Sequence, residues 1–592
     1  MRTTKQKAAR RPRVQAVETL VKELERLKTS FDLPSAARKL ILLRRLRSAE
    51  IHEVTTLTAY HDILCFLRAY PDNDQIARIT ERELQSFGSR VEMYRKQSRD
   101  RSGKRLINSG ITNTSVVHPF SYEAVRLLMT WYPGKLEFDW ESMDEDEFDG
   151  ILDILPLLVS WQENDTLDND PALDARQWLA NARGQKTGSD LETLVKLLDA
   201  SNLPREVQRH FFDNLEFPIV WTLSDSQASR TLKRVPAKRV YYQKDPLRGR
   251  SADLRAELTK PATTLHLLSL RQGKKLVRTI NEVLAVRYRE LFPITFANPA
   301  EVYVNEPGYG VQIFIYGSRP EARLPLESNF GAMLVRNGMP VGYGVGATLF
   351  DRVEIAINIF PAFRGGESAY IIEQFFRLFH HHFGSRVFLV RSRQMGEGDD
   401  EPLQSGAFWF YYKLGLRAVK SRVRELADQE YELIRSNPAY RSPLKTLRRL
   451  AKSDVFFHVD PSGMDSYQEL SIVNLGYVVT KYFADNFDGN RQRGSRQSAS
   501  KLAHILEVPE WKRWSKDERR AFEHLAPLVI NIPDLAGWTA KELKALVRVI
   551  RSKGAVRERE FVLLSNHHRR FKTALEELAA SYDLSESMNR TK

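Results

Sequence analysis

The chain has 592 residues and a mass of 68.3 kDa, too much for one ordinary core, so three or four domains of ~150 residues are expected. With 42% hydrophobic and 10% aromatic residues it is excluded from the disordered class, and a lone Cys65 excludes both an intramolecular disulfide framework and a multi-cysteine zinc site, which points to a reducing, cytoplasmic setting. The net charge of +15 is a local excess over 90 interspersed cations and 75 carboxylates. It collects in the N-terminal tail, in residues 230–250 and around Arg441 to Lys452, where an anionic partner such as nucleic acid, a phosphorylated cofactor or plain solvation would each account for it.

Residues 1–14 form a basic tail with six basic and no acidic residues in the first thirteen; no apolar stretch follows that would make a secretory signal. Residues 15–105 carry apolar positions at three- and four-residue spacing, as in "VETLVKELERLKTSF", and predict a helical region. The Gly-, Ser- and Asn-rich stretch 101–122 reads as a long connection, and residues 106–270 as a second, mostly helical region. Its acidic run "EFDWESMDEDEFDG" lacks the alternating ligands and central glycine of a calcium loop. Its longest apolar run, "ILDILPLLVSW" at 151–161, is broken by Asp153 and Pro156 and falls short of the ~18 residues of a membrane span, so a soluble protein is expected.

The texture changes over residues 271–435. A helix with Leu276, Val277, Ile280, Val283 and Leu284 on one side leads into "EVYV", "GVQIFIYG", "FGAMLVRNGMPVGYGVGATLF" and "RVEIAINIF". Asn337-Gly338 between two apolar runs is a strong hairpin signal, so these runs predict an antiparallel meander. An amphipathic helix over 368–383, ended by Gly384, the buried run "RVFLV" and the helix "SGAFWFYYKLGL" follow. This is an α/β domain, a mixed sheet with one crossover helix, embedded in a largely α-helical multidomain chain. Residues 436–487 predict a helical extension, 488–500 a charged linker and 501–592 a C-terminal helical region.

Between strand and crossover helix stands "FPAFRGGESA", 360–369. A strand, a glycine turn and a helix start aim unpaired amide protons and the positive end of the helix dipole at one point, a place for a diphosphate; a plain turn is the alternative. Ile357, Ile359, Pro361, Phe363, Arg364, Gly365 and Ala369, followed by Ala407, Tyr411, Lys413, Leu414 and Gly415, fall in register with two landmarks of the GNAT N-acyltransferase superfamily, which residues 272–425 resemble. The resemblance implies that the backbone of Ile357, Asn358 and Ile359 pairs with a pantetheine arm. Amides of Arg364, Gly365, Gly366, Glu367, Ser368 and Ala369 would hold the pyrophosphate of acetyl-CoA or another acyl-CoA. Tyr411 would protonate the departing thiolate while an unidentified amine takes the acyl group.

The family's second glycine is Glu367 here. A carboxylate ~5 Å from a phosphate charge costs on the order of 3 kcal/mol at a dielectric near 20, about a hundredfold in affinity, unless it turns away or is paired, with Arg364 one candidate partner. Glu354 is a candidate base, as are Asp399, Asp400 and Glu401. The alternative function is a catalytically inert copy of the fold acting on nucleic acid or protein through its basic patches, where Tyr241 and Tyr242 interleave with cations. The "HHH" at 380–382 diverges by ~100° per residue and holds no metal, and the glycines of "GYGVGA" sit on a strand with no helix opening after them.

Overall fold

The computed structural model describes residues 17–98, 103–143, 145–169, 174–185, 187–224, 227–237, 239–290 and 292–582; the basic tail lies outside them. Residues 17–98 are helical as expected, with Asp32 and Asn73 accepting amide protons at the starts of the helices Leu33–Arg47 and Asp74–Gln85.

Residues 106–270 are less helical than their pattern suggests. Three short strands, β1 (Ser115–His118), β2 (Leu136–Phe138) and β3 (Ile219–Thr222), form an antiparallel sheet in the order β1-β3-β2, packed with the surrounding helices around the buried Trp221. Strands of three or four residues are too short to show period-2 alternation. The expected long connection at 101–122 thus contains β1.

The main sheet has nine strands: β4 (Leu265–Leu267), β5 (Ala297–Gly308), β6 (Val311–Ser318), β7 (Ser328–Arg336), β8 (Met339–Leu349), β9 (Arg352–Ile359), β10 (Val387–Val390), β11 (Arg417–Ala418) and β12 (Val455–His458). Their order is β11-β12-β10-β9-β8-β7-β6-β5-β4, and every neighbouring pair is antiparallel except β9 and β10. The meander and the single parallel crossover are as the sequence predicts. Asn337 (φ 48°) and Gly338 (φ 80°) turn the β7–β8 hairpin with both residues left-handed. The crossover helix Ser368–Phe383 ends at Gly384 with φ 70°.

The glycines of "GYGVGA" have a packing role on β8. A Cβ on Gly346 would stand 2.2 Å from the Phe379 ring, and one on Gly344 3.1 Å from Phe375, so their absence lets the crossover helix sit close on the sheet. Phe376 of that helix stacks on Phe388 of β10 at 4.9 Å. The three histidines diverge as expected, bonding separately to the carbonyls of Ser385, Lys260 and Thr263.

Two expected boundaries move. The "helical extension" 436–487 contains β12, which inserts between β10 and β11, so the sheet runs past residue 435. The expected linker 488–500 is largely the helix Arg491–Ile505, because Gly494, Ser498 and Ala499 are small enough to be buried against Phe483 and its neighbours. The last six α-helices among the described residues enclose a second core rich in Trp511, Trp514, Phe522 and Trp538, which Leu349 and Phe350 of the sheet region join. The N-terminal helices, by contrast, share one continuous core with the main sheet. No helix among the described residues is long and apolar enough to cross a membrane.

Candidate functional site

β9 pairs with β8 along its whole length, from Arg352↔Leu349 to Ile359↔Gly342. It pairs with β10 only from Arg352 to Glu354. Beyond Glu354 the two parallel strands part, and the β9 edge from Ile355 to Ile359 has no neighbouring strand on that side among the described residues. Ala356, Ile357, Asn358 and Ile359 are only half-buried there, whereas the paired start of the strand is covered more fully. Backbone groups left without a ladder partner need other hydrogen bonds, which makes this edge a slot for an extended polar chain.

The chain leaves the slot through Pro361–Phe363 and enters the glycine turn. Gly365 has φ +86° and a Cβ there would meet nothing within 4 Å, so this point of the loop faces open space. Its neighbours are engaged. The Arg364 amide donates to Pro361 O at 3.2 Å and the Gly366 amide to Phe363 O at 3.0 Å. The Glu367 amide donates to the Tyr70 hydroxyl at 3.3 Å. Amides of Gly365, Ser368 and Ala369 meet no acceptor among the described residues. Half of the expected six-amide cradle is thus satisfied by the protein's own oxygens.

Glu367 turns away from the mouth and is completely buried. Its two oxygens are taken by Arg248 Nη1 at 2.9 Å and Arg336 Nε at 3.2 Å, with the Arg248 amide adding a bond at 3.2 Å. The candidate partner Arg364 is not involved: it is half-exposed and reaches Ile359 O and Glu401, each at 3.4 Å. A buried carboxylate needs pairing, and two guanidiniums supply it. Arg336 is itself fully buried, bonded to Gln243 at 2.8 Å and flanked by the rings of Tyr70 and Tyr241 at 4.9 and 5.0 Å. Burial pushes the Arg336 pKa down, while Glu367 pushes it back up. Arg248 lies against Tyr309 at 3.3 Å.

The described residues of the basic segment 230–250 are held to the rest of the chain by ion pairs. Arg230 pairs with Asp62, Lys233 with Glu282, Arg234 with Glu81 and Arg248 with Glu367. Tyr241, a candidate base-stacking residue, packs edge-on against Tyr309 at 5.6 Å, and the Tyr242 hydroxyl bonds Asp74 at 3.3 Å.

Tyr411 lies on the helix Ala407–Lys413 and is 5% exposed; burial pushes its phenol up to about 12, so it stays protonated near neutral pH. Glu354, the last residue of β9 paired with β10, is held by Arg391 Nε at 2.7 Å. Arg391 also binds Asp454 at 2.8 Å and Glu469 at 2.7 Å; burial opposes its charge, but the bonds from Glu469 and Asp454 prevail and raise its pKa. Asp399 caps the helix Asp400–Gln404, and Asp400 pairs with Arg448 at 3.0 Å.

None of Tyr70, Arg248, Arg336 and Arg391 belongs to the landmarks; Tyr70 and Arg248 reach Glu367 from outside the central domain, while within it Arg336 reaches Glu367 from β7 and Arg391, just after β10, reaches Glu354. No group of three or more His, Cys, Asp or Glu among the described residues is arranged to hold a metal ion. Compared with family models, curated proteins and solved structures, the chain matches none.

Proposed function

We propose that the central domain is a GNAT-type N-acyltransferase domain that binds an acyl-CoA in the slot between β9 and β10 and passes its acyl group to an amine. The observation that carries this reading is the parting of the parallel pair beyond Glu354, which leads an unpaired strand edge into a glycine turn with open amides at Gly365, Ser368 and Ala369. The strand order supports it, with one crossover helix between the parallel strands and the last strand, β12, inserted beside β10. In this reading the edge of Ile357–Ile359 bonds the pantetheine amides, the three open amides and the start of the helix Ser368–Phe383 take phosphate oxygens, and Tyr411 returns a proton to the leaving thiolate. Glu367 does not oppose the phosphates, because its charge is neutralised inside the domain.

A second reading, a non-catalytic copy of the fold, is favoured by one observation: the Tyr70 hydroxyl occupies the Glu367 amide, where a phosphate oxygen is required. Nucleic-acid binding through residues 230–250 is weakened by the ion pairs that consume four of its cations. Calorimetric titration of the full chain with acetyl-CoA separates the first two. Saturable heat, together with thiol release when amines are supplied, supports the transferase; no heat at millimolar ligand, in the wild type and in Tyr70→Phe, leaves the scaffold.

A further inference from the structure

At the opposite end of the β9–β10 pair, where the strands begin, a cavity of about 520 Å³ lies between the main sheet and the C-terminal helices. Its size falls in the range of about 300–1,000 Å³ typical of small-molecule sites. Leu349, Phe350 and Val387 line it from the sheet side, and Ala579 and Ala580 from the last helix and its end.

Its polar groups fall into two sets. In one, Arg352 is 5% exposed and its outer nitrogens are spent on Glu327 and Glu469, but its buried Nε has no acceptor. Beside it in the lining, Tyr467 stacks on Phe456 at 4.8 Å, and its buried hydroxyl faces the Arg352 guanidinium without a well-formed hydrogen bond, leaving its proton without an acceptor. A buried donor left unsatisfied costs about 1–3 kcal/mol, and two in one cavity call for an oxygen acceptor. In the other set, Asp351 is bound by Lys572 at 2.6 Å, while the Glu576 carboxylate stands 3.9 Å from the same ammonium and has no hydrogen bond among the described residues.

The sum of charges narrows the ligand. Asp351, Glu469 and Glu576 face Arg352 and Lys572, an excess of one negative charge. His458 adds none, since burial and then the Arg386 charge lower its pKa. A bare anion would be repelled by this lining, and a bare amine would leave the Arg352 and Tyr467 donors unmet. We propose that the cavity binds a small molecule carrying both a carboxylate and an ammonium group on an apolar body, the chemistry of an apolar α-amino acid. The ligand carboxylate accepts from Arg352 Nε and the Tyr467 hydroxyl, the ammonium donates to Glu576, and the apolar body lies against Leu349, Phe350 and Ala579. This site is independent of the acyl-transfer reading, whose slot opens at the other end of the strands.

The test is calorimetric titration of the full chain with L-leucine, leucinamide and isocaproate, which remove the carboxylate or the ammonium in turn. Saturable binding of leucine is expected, at least tenfold tighter than either analogue. Tyr467→Phe, which keeps the stack on Phe456, and Glu576→Gln should each weaken leucine about tenfold without lowering the melting temperature. No heat with leucine, isocaproate or leucinamide binding as tightly as leucine, or unchanged affinity in both variants, overturns the proposal and leaves a cavity filled by water.

Discussion

Two ion pairs, one at each end of the β9–β10 pair, differ in burial. At the loop end, Glu367 and Arg336 are both fully excluded from solvent and neutralise one another with the help of Arg248. At the cavity end, Lys572 and Asp351 are each about a third exposed. Buried charge ties distant segments together and cannot be removed singly, whereas half-exposed charge contributes little to stability and remains available for exchange with a ligand. A backbone site buttressed by the first kind is fixed in shape; a side-chain site edged by the second kind, as the cavity is by Lys572 and Asp351, can adjust on that side.

The largest expected effect tests the buried end. Glu367→Ala strands two guanidiniums and should lower unfolding free energy by about 3–5 kcal/mol in urea denaturation; a loss below ~1 kcal/mol would remove the contrast between the two ends. For the same reason Glu367→Gly, which introduces the glycine of the GNAT landmark, should destabilise the chain rather than simply improve the loop. Next comes Tyr411→Phe, which should reduce acyl transfer about a hundredfold, read as thiol release, while leaving the acetyl-CoA dissociation constant unchanged. Equal turnover would take Tyr411 out of the chemistry.

Tyr70→Phe sharpens the loop end more gently. Removing the hydroxyl frees the Glu367 amide and should tighten acetyl-CoA binding about tenfold by calorimetry, the worth of one hydrogen bond to a charged group. Weaker binding would mean that the phenol oxygen supports the loop instead of blocking it. The smallest effect belongs to the cavity end: Lys572→Met should change unfolding free energy by less than about 1 kcal/mol. A larger loss in the same denaturation experiment would show that this pair, too, holds the domains together.

Much of the central domain was legible because its signals are local. The Asn337-Gly338 turn, the crossover helix closed by Gly384 and the glycine turn at Gly365 each follow from residues within a few positions. β12 was missed because "VFFH" stands alone among helical patterns, with its pairing partners Val387–Val390 and Arg417–Ala418 far back in the chain. The helix over Arg491–Ile505 was missed for the converse reason: its Gly, Ser and Arg content resembles a linker until Phe483 packs on Gly494.

The candidate site divides along the same line. Ile357 to Ile359, Arg364 to Ala369 and Tyr411 could be named from the resemblance to the GNAT landmarks, which also exposed the difficulty posed by Glu367, and Glu354 from its place on the strand. The resolution of that difficulty could not, because Arg248 and Arg336 meet Glu367 from separate segments, and Tyr70 reaches its amide across 297 residues. Local pattern determined which elements form, since turn chemistry and hydrophobic period act within a few residues. Tertiary packing alone decided which amides stay open, which charges are neutralised and where a cavity remains, since each depends on groups that only the folded chain brings within hydrogen-bonding distance.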